Sequence, residues 1–272
     1  MIRYVRHLGR SLRRTIERIE RESVADQIDG LRSGGVPHID VIGVTLVTCV
    51  VLIALDFYGG SQDWEWIERT ARLVRSDWGA GVEAFFDDGE YARLHELGYW
   101  SVCTFVGYLL VPAFWAKVVM GRSLRETGMS GEGFLRHAWI YVVLFAVVLP
   151  IIYGVSLTES FQRTYPFYRR AGRSAFDFLA WELLYALQFL SLEFFFRGFL
   201  VHGLKRRFGF YSIFVATIPY CMIHFGKPMP EALGSIAAGL MLGLASLLTG
   251  SIWLGVLVHV SVAVSMDVFA LA

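Results

Sequence analysis

The chain has 272 residues, 55% of them hydrophobic and 18% charged, with a formal net charge of +1. A soluble domain has roughly a quarter of its residues charged; here the apolar residues run in long stretches with the charges swept between them, which excludes a water-facing globule and makes lipid the solvent. The near-zero charge also excludes a nucleic-acid binder, which needs a basic excess, and Cys49, Cys103 and Cys221 sit in separate apolar runs without metal-like or redox-like spacing.

Residues 1–38 carry eight arginines, Arg3, Arg6, Arg10, Arg13, Arg14, Arg18, Arg21 and Arg32, among leucines and isoleucines at helical intervals. This is a basic amphipathic N-terminal arm, expected either to lie on anionic lipid or to be a solvated cytoplasmic tail that fixes orientation. It lacks the compact apolar core and small-residue cleavage site of a signal peptide, so it is expected to be retained.

Residues 39–272 read as one integral membrane domain. About 20 apolar residues of helix cross the hydrocarbon, and every backbone polar group there must be satisfied within its own segment. Runs of suitable character are Val41–Tyr58, Trp100–Met120, Ala138–Leu157, Phe178–Leu200, Tyr211–Phe225, Leu233–Leu248 and Ser251–Leu271. The expected fold is an all-α, polytopic transmembrane helical bundle of about seven spans. Interfacial amphipathic helices are expected around Trp64–Trp78 and Ala80–Leu97. Gly234, Gly239 and Gly243 suit close helix packing, and Thr249–Ser251 is a turn.

The arginine-rich arm, the acidic segment 61–97 and the basic stretch 117–136 alternate in a way that puts the N-terminus in the cytoplasm. Arg163, Arg169, Arg170 and Arg173 break the alternation, since they would then face outward.

An ionisable residue within a span is costly and asks for a function. Such residues are Glu182, Glu193, Arg197, His224, His259 and Asp267. Glu193 and Arg197 stand four apart, on one helical face, and can pair. Glu182, eleven residues before Glu193, points to the same side and reads as an interfacial polar residue. Tyr220 and His224 share a helical face, and His259 lies deep in the last run. A carboxylate and imidazoles can activate a water for hydrolysis, and a second imidazole can donate to an oxyanion. Beyond His224, Lys227, two prolines and Glu231 form a turn whose carboxylate is either accessory to the site or part of a plain loop. Phe194, Phe195 and Phe196 either face lipid, which is the expectation, or line a substrate groove.

The set Leu192-Glu-Phe-Phe-Phe-Arg-Gly198, Tyr220-Cys-Met-Ile-His224 and His259 resembles the motifs of the CAAX protease and bacteriocin-processing family of intramembrane endopeptidases, over a motif-bearing core of 178–272. The family pattern is Glu-Glu-x-x-x-Arg, then aromatic-x-x-x-His, then His-x-x-x-Asn or Asp. The resemblance implies proteolysis by a glutamate-activated water, with no metal or other cofactor. Glu193, Arg197, His224 and His259 are then the catalytic set, and Glu231 and Asp267 are possible accessories. It further implies a peptide or protein substrate at the membrane and residence in a bacterial inner membrane. Two positions depart from the pattern: Leu192 replaces the first Glu, and Ala263 replaces the Asn or Asp. Asp267, about 80° further round the helix, is no simple substitute for the latter. The alternatives are a non-catalytic binding, immunity or assembly protein of the same fold, a zinc enzyme using Glu193, His224 and His259, and a transporter, which is disfavoured by the lack of inverted repeats.

Overall fold

The computed structural model describes residues 2–32, 39–132 and 134–272, and among these every regular element is helical. Helix α1 (Ile2–Arg32) precedes α2 (Ile39–Tyr58), and the short pair α3 (Glu65–Val74) and α4 (Ser76–Asp87) leads to α5 (Ala92–Phe105). The chain then runs through π-helical Val106–Leu110, α6 (Val111–Phe114) and π-helical Trp115–Val119. Next come α7 (Phe134–Ser156), the short α8 (Glu159–Thr164) and α9 (Ala175–Glu193). Helix α9 widens into a π-helix over Phe194–His202 before α10 (Gly203–Phe208). Helices α11 (Ser212–Met222), α12 (Met229–Thr249) and α13 (Trp253–Leu271) complete the chain.

Among the described residues six helical stretches are long and apolar enough to cross a membrane: Asp40–Tyr58, Ala92–Val119, His137–Ser156, Ala175–Met222, Met229–Thr249 and Trp253–Leu271. The protein is an all-α, polytopic integral membrane protein. The fourth stretch is 48 residues long and covers the expected run Phe178–Leu200 and most of Tyr211–Phe225. Gly209, at φ +53, turns the chain between them, a conformation that glycine adopts without penalty. Helix α11 has 11 residues and rises only about 16 Å, roughly half of the hydrocarbon thickness. The second expected interfacial piece is corrected in part. Its first residues form α4, but residues 92–97 begin a span, because Leu94 and Leu97 are buried among aromatic rings.

The chain divides into two compact units. The first comprises Met1–Thr48, Pro112–Val142 and Glu193–Leu257. Here α11 and α12 pack closely because Gly239 and Gly243 lack side chains: a β-carbon would come within 2.8 Å of Thr217 and 2.7 Å of Ile213. Gly234 faces open space. Helix α1 docks on the end of α10. Ser23 Oγ donates to the Arg206 carbonyl at 2.8 Å, Gln27 Nε2 donates to the Arg207 carbonyl at 3.0 Å, and Glu20 accepts the Phe210 N–H at 2.6 Å. These bonds satisfy groups that a helix terminus leaves orphaned. Arg122 braces the start of the same helix, donating to the carbonyls of His202 and Gly203 at 3.2 Å while pairing with Asp40 at 2.6 Å. Burial pushes the Arg122 pKa down, against the pull of Asp40.

The second unit comprises Cys49–Val111, Val143–Leu192 and Val258–Ala272. Its core joins Leu94, Leu97, Tyr168, Ala171, Trp181, Tyr185 and Ala263. The loop arginines that disturbed the charge alternation are tied down within it. Arg169 donates to the carbonyls of Gln162, Arg163 and Tyr165, Arg170 to the carbonyl of Glu90, and Arg173 to Asp177 and Glu90.

Candidate functional site

In the first unit, Glu193 ends α9 and Arg197 lies one turn on, both fully buried. Arg197 Nη1 stands 3.0 Å from Glu193 Oε1, so the i,i+4 pairing expected from the sequence forms even though the helix changes to π geometry at Phe194. Two further contacts hold the guanidinium. Its carbon lies 4.1 Å from the centroid of the Tyr220 ring, and Nη2 donates to the Ala238 carbonyl at 3.4 Å. A buried ion pair is stable only when its geometry and remaining hydrogen bonds are good; the Tyr220 face and the Ala238 carbonyl supply that support.

Tyr220 also holds His224. The two rings meet edge to face at 4.8 Å, and His224 Nδ1 lies 2.8 Å from the Tyr220 carbonyl oxygen. A carbonyl only accepts, so Nδ1 carries the proton in this bond and Nε2 of the neutral ring is the acceptor. His224 is not on the helix itself, as the spacing had suggested. Helix α11 ends at Met222, and His224 occupies the turn that follows. Past this turn, with Gly226 at φ +86, Lys227 lies 3.8 Å from Glu231 in the first turn of α12. Burial pushes the Lys227 pKa down while Glu231 raises it. Glu231 is therefore helical and ion-paired, not part of a loose loop.

Phe194, Phe195 and Phe196 correct another expectation: all are buried. The wide π turn directs them into protein contacts, with Phe195 stacked near Phe199 and Phe196 edge-on to Tyr220 at 5.1 Å.

In the second unit, α9 and α13 run antiparallel past one another. Trp181 Nε1 donates to Asp267 Oδ2 at 2.6 Å, and eight residues further along α9 the Phe189 ring stacks on His259 at 5.2 Å. Between these contacts Trp181 stacks on Tyr185, and Tyr185 meets Phe189 at a tilt. Ala263 is buried in the same core as Trp181 and Tyr185. Glu182 is also buried, and its Oε1 makes no hydrogen bond among the described residues.

The structure thus joins Glu193, Arg197, Tyr220 and His224 in one contact chain, with Lys227 and Glu231 beyond the His224 turn. His259 and Asp267 belong to the second unit and are held by Phe189 and Trp181. The sequence reading missed Gly255 and Trp181. A β-carbon on Gly255 would collide with the Glu193 carboxylate, so this glycine makes the room in which that carboxylate lies. Its spacing of one helical turn before His259 was the available signal. Among the described residues no group of three or more His, Cys, Asp or Glu side chains is placed to hold a metal ion.

Residues 174–265 match the family model described as Type II CAAX prenyl endopeptidase Rce1-like. Comparison with curated proteins and with solved structures gave no match. The matched stretch, less than half of the chain, contains Leu192, Glu193, Arg197, Tyr220, His224, His259 and Ala263, and over it the chain is similar to that family.

Proposed function

We propose that the protein is an intramembrane endopeptidase that hydrolyses peptide bonds of membrane-associated substrates. The observation that carries this reading is the contact chain from Glu193 through Arg197 and Tyr220 to His224. Arg197 balances and orients the Glu193 carboxylate. His224, with Nδ1–H bound to the Tyr220 carbonyl, offers Nε2 to a water proton. The attacking water passes one proton to the Glu193 and His224 pair, which returns it to the leaving amine as the peptide bond breaks. In the family that the chain resembles, the residue matching His259 is the donor to the oxyanion. Glu231 is the accessory carboxylate, and Asp267 supports α13 through Trp181. The scheme uses no cofactor.

A second reading, a non-catalytic binding, immunity or assembly protein with the same fold, is favoured by Ala263. That position is 2% exposed and committed to packing, so it offers no polar group to a substrate.

We place the protein in a bacterial plasma membrane with the N-terminus in the cytoplasm. The basic excess lies in α1, in residues 117–136 and in Lys205, Arg206 and Arg207 of α10, and the arm is the segment that meets anionic lipid.

The test is cleavage of membrane-tethered reporter peptides by the purified protein in proteoliposomes, read by mass spectrometry. Wild-type protein should cleave, and Glu193→Gln and His224→Gln should not, with unfolding temperatures recorded to separate loss of chemistry from loss of fold. Absence of cleavage by well-folded wild type, or full cleavage by Glu193→Gln, overturns the protease reading.

A further inference from the structure

The paired helices α3 and α4 carry an apolar surface that the rest of their unit leaves open. On α3 the residues Trp66, Leu73 and Val74 share one face of the helix, while Glu65, Glu68, Arg69 and Arg72 share the other. Arg72 of the polar face turns toward α4, while Glu65 and Arg69 pair with each other and are exposed. Arg72 pairs with Glu68 and, at 2.9 Å, with Glu83 of α4, and Gly79 of α4 lies so close that a β-carbon there would come within 2.7 Å of Arg72 Cβ. The apolar face is left outward: Trp66 is 45% exposed, Leu73 88%, Val74 65% and Trp78, at the start of α4, 54%. No side chain of α3 is buried.

The position of this surface identifies what covers it. The pair is tethered at both ends to spans, α2 ending at Tyr58 and the next stretch beginning at Ala92. It is also fastened at the level where those spans end. Trp66 Nε1 donates to the Tyr99 hydroxyl at 2.8 Å, that hydroxyl donates to the Tyr58 carbonyl, and the Tyr58 and Trp66 rings meet edge to face at 6.3 Å. At the other end Phe86 stacks on Trp64 at 4.7 Å and Phe85 on His95 of α5 at 4.0 Å. Along the spans themselves Ile53, Phe57 and Val102 are exposed, so the open face of α3 continues a lipid-facing surface.

We propose that α3 and α4 form an in-plane membrane anchor, whose face of Trp66, Leu73, Val74 and Trp78 is seated in the headgroup and upper acyl region of the bilayer. Such helices sink about 5–10 Å into the interface, and tryptophan is the side chain that prefers that depth. The anchor differs in kind from the arginine-rich arm. Residues 65–87 contain three arginines, Arg69, Arg72 and Arg75, against five acidic residues, Glu65, Glu68, Asp77, Glu83 and Asp87. All three arginines are engaged in ion pairs. A net negative segment gains nothing from anionic headgroups, so apolar burial drives the seating and lipid charge does not.

The experiment uses full-length protein with Cys49, Cys103 and Cys221 replaced by alanine, reconstituted into vesicles of phosphatidylcholine alone or mixed with phosphatidylglycerol. An environment-sensitive fluorophore is attached to Leu73→Cys or Trp78→Cys, with Arg69→Cys on the polar face as reference. Lipids bearing a nitroxide near the top of the acyl chain should quench the labels at 73 and 78 several-fold more than the label at 69. Quenching should be equal in the two lipid mixtures and unchanged by high salt. Preferential quenching at 73 and 78 by a water-soluble agent overturns the anchor. Quenching by nitroxide lipid that requires phosphatidylglycerol overturns the charge-independent mechanism. Protection from both quenchers assigns the face to a protein partner and overturns the proposal as well.

Discussion

Gly255 and Glu193 are fitted to each other: the carboxylate occupies the space that a β-carbon at position 255 would need. Arg197 holds the same carboxylate from within its own helix, so the group cannot move aside without losing its ion pair. Gly255→Ala should lower stability by about 1–3 kcal/mol, the usual range for overpacking, and reduce cleavage at least several-fold. Gly234→Ala is the control, since nothing lies within 4 Å of its β-carbon position. That variant should be neutral or slightly stabilised, because alanine is the better helix former. Thermal unfolding in detergent decides both, and an unperturbed Gly255→Ala protein would show that the carboxylate has other room.

Removing Arg197 while Glu193 remains takes the ion pair away from a fully buried carboxylate. Arg197→Ala should cost about 3–5 kcal/mol. Arg197→Lys should cost less but still be harmful, because an ammonium lacks the planar face that lies over Tyr220. The double variant Glu193→Met with Arg197→Met should recover much of the stability and none of the cleavage. Chemical unfolding of the four proteins tests this, and equal stability of wild type and Arg197→Ala would refute it.

Trp181 gives Asp267 its one identified hydrogen bond, at 2.6 Å. Trp181→Phe should therefore destabilise by about 1–3 kcal/mol through an unsatisfied carboxylate, beyond the loss of packing. In an Asp267→Leu background the same change should cost less. A double-mutant cycle measures the difference, and strict additivity would mean that the bond contributes nothing.

Lys227 makes stability depend on pH. Burial holds its folded-state pKa below the ordinary value of 10.5. Below that value the unfolded chain binds the proton more readily than the folded one, so stability rises as pH climbs through the window between the two pKa values. Lys227→Met should flatten this rise. The check is the unfolding temperature as a function of pH in the alkaline range, and identical profiles for the two proteins would exclude the effect.

The helical membrane architecture was legible because apolar runs are local and long. The Glu193 and Arg197 pair was legible because residues four apart on a helix meet whatever the rest of the fold does. Gly255 beside Glu193 and Trp181 beside Asp267 were not, since each joins positions more than 60 residues apart that only tertiary packing brings together. Phe194 to Phe196 misled for a related reason. Hydrophobicity says that such residues avoid water, and in a membrane protein that does not distinguish lipid from a packed interior. The position of His224 misled because a helix expected to continue to it stops at Met222.

The two contacts between α9 and α13 have a mechanical meaning. Trp181 with Asp267 and Phe189 with His259 lie eight residues apart on each helix, so the index gained on one strand of the pair is lost on the other. Together they work as a two-point register lock. Sliding α13 by one turn, about 5.4 Å, would carry Asp267 off its indole donor and His259 off its ring at once, and rotating it would do the same. The depth and azimuth of His259 are thus gauged from a carboxylate two turns away. Altering Asp267 should therefore displace the imidazole without touching it.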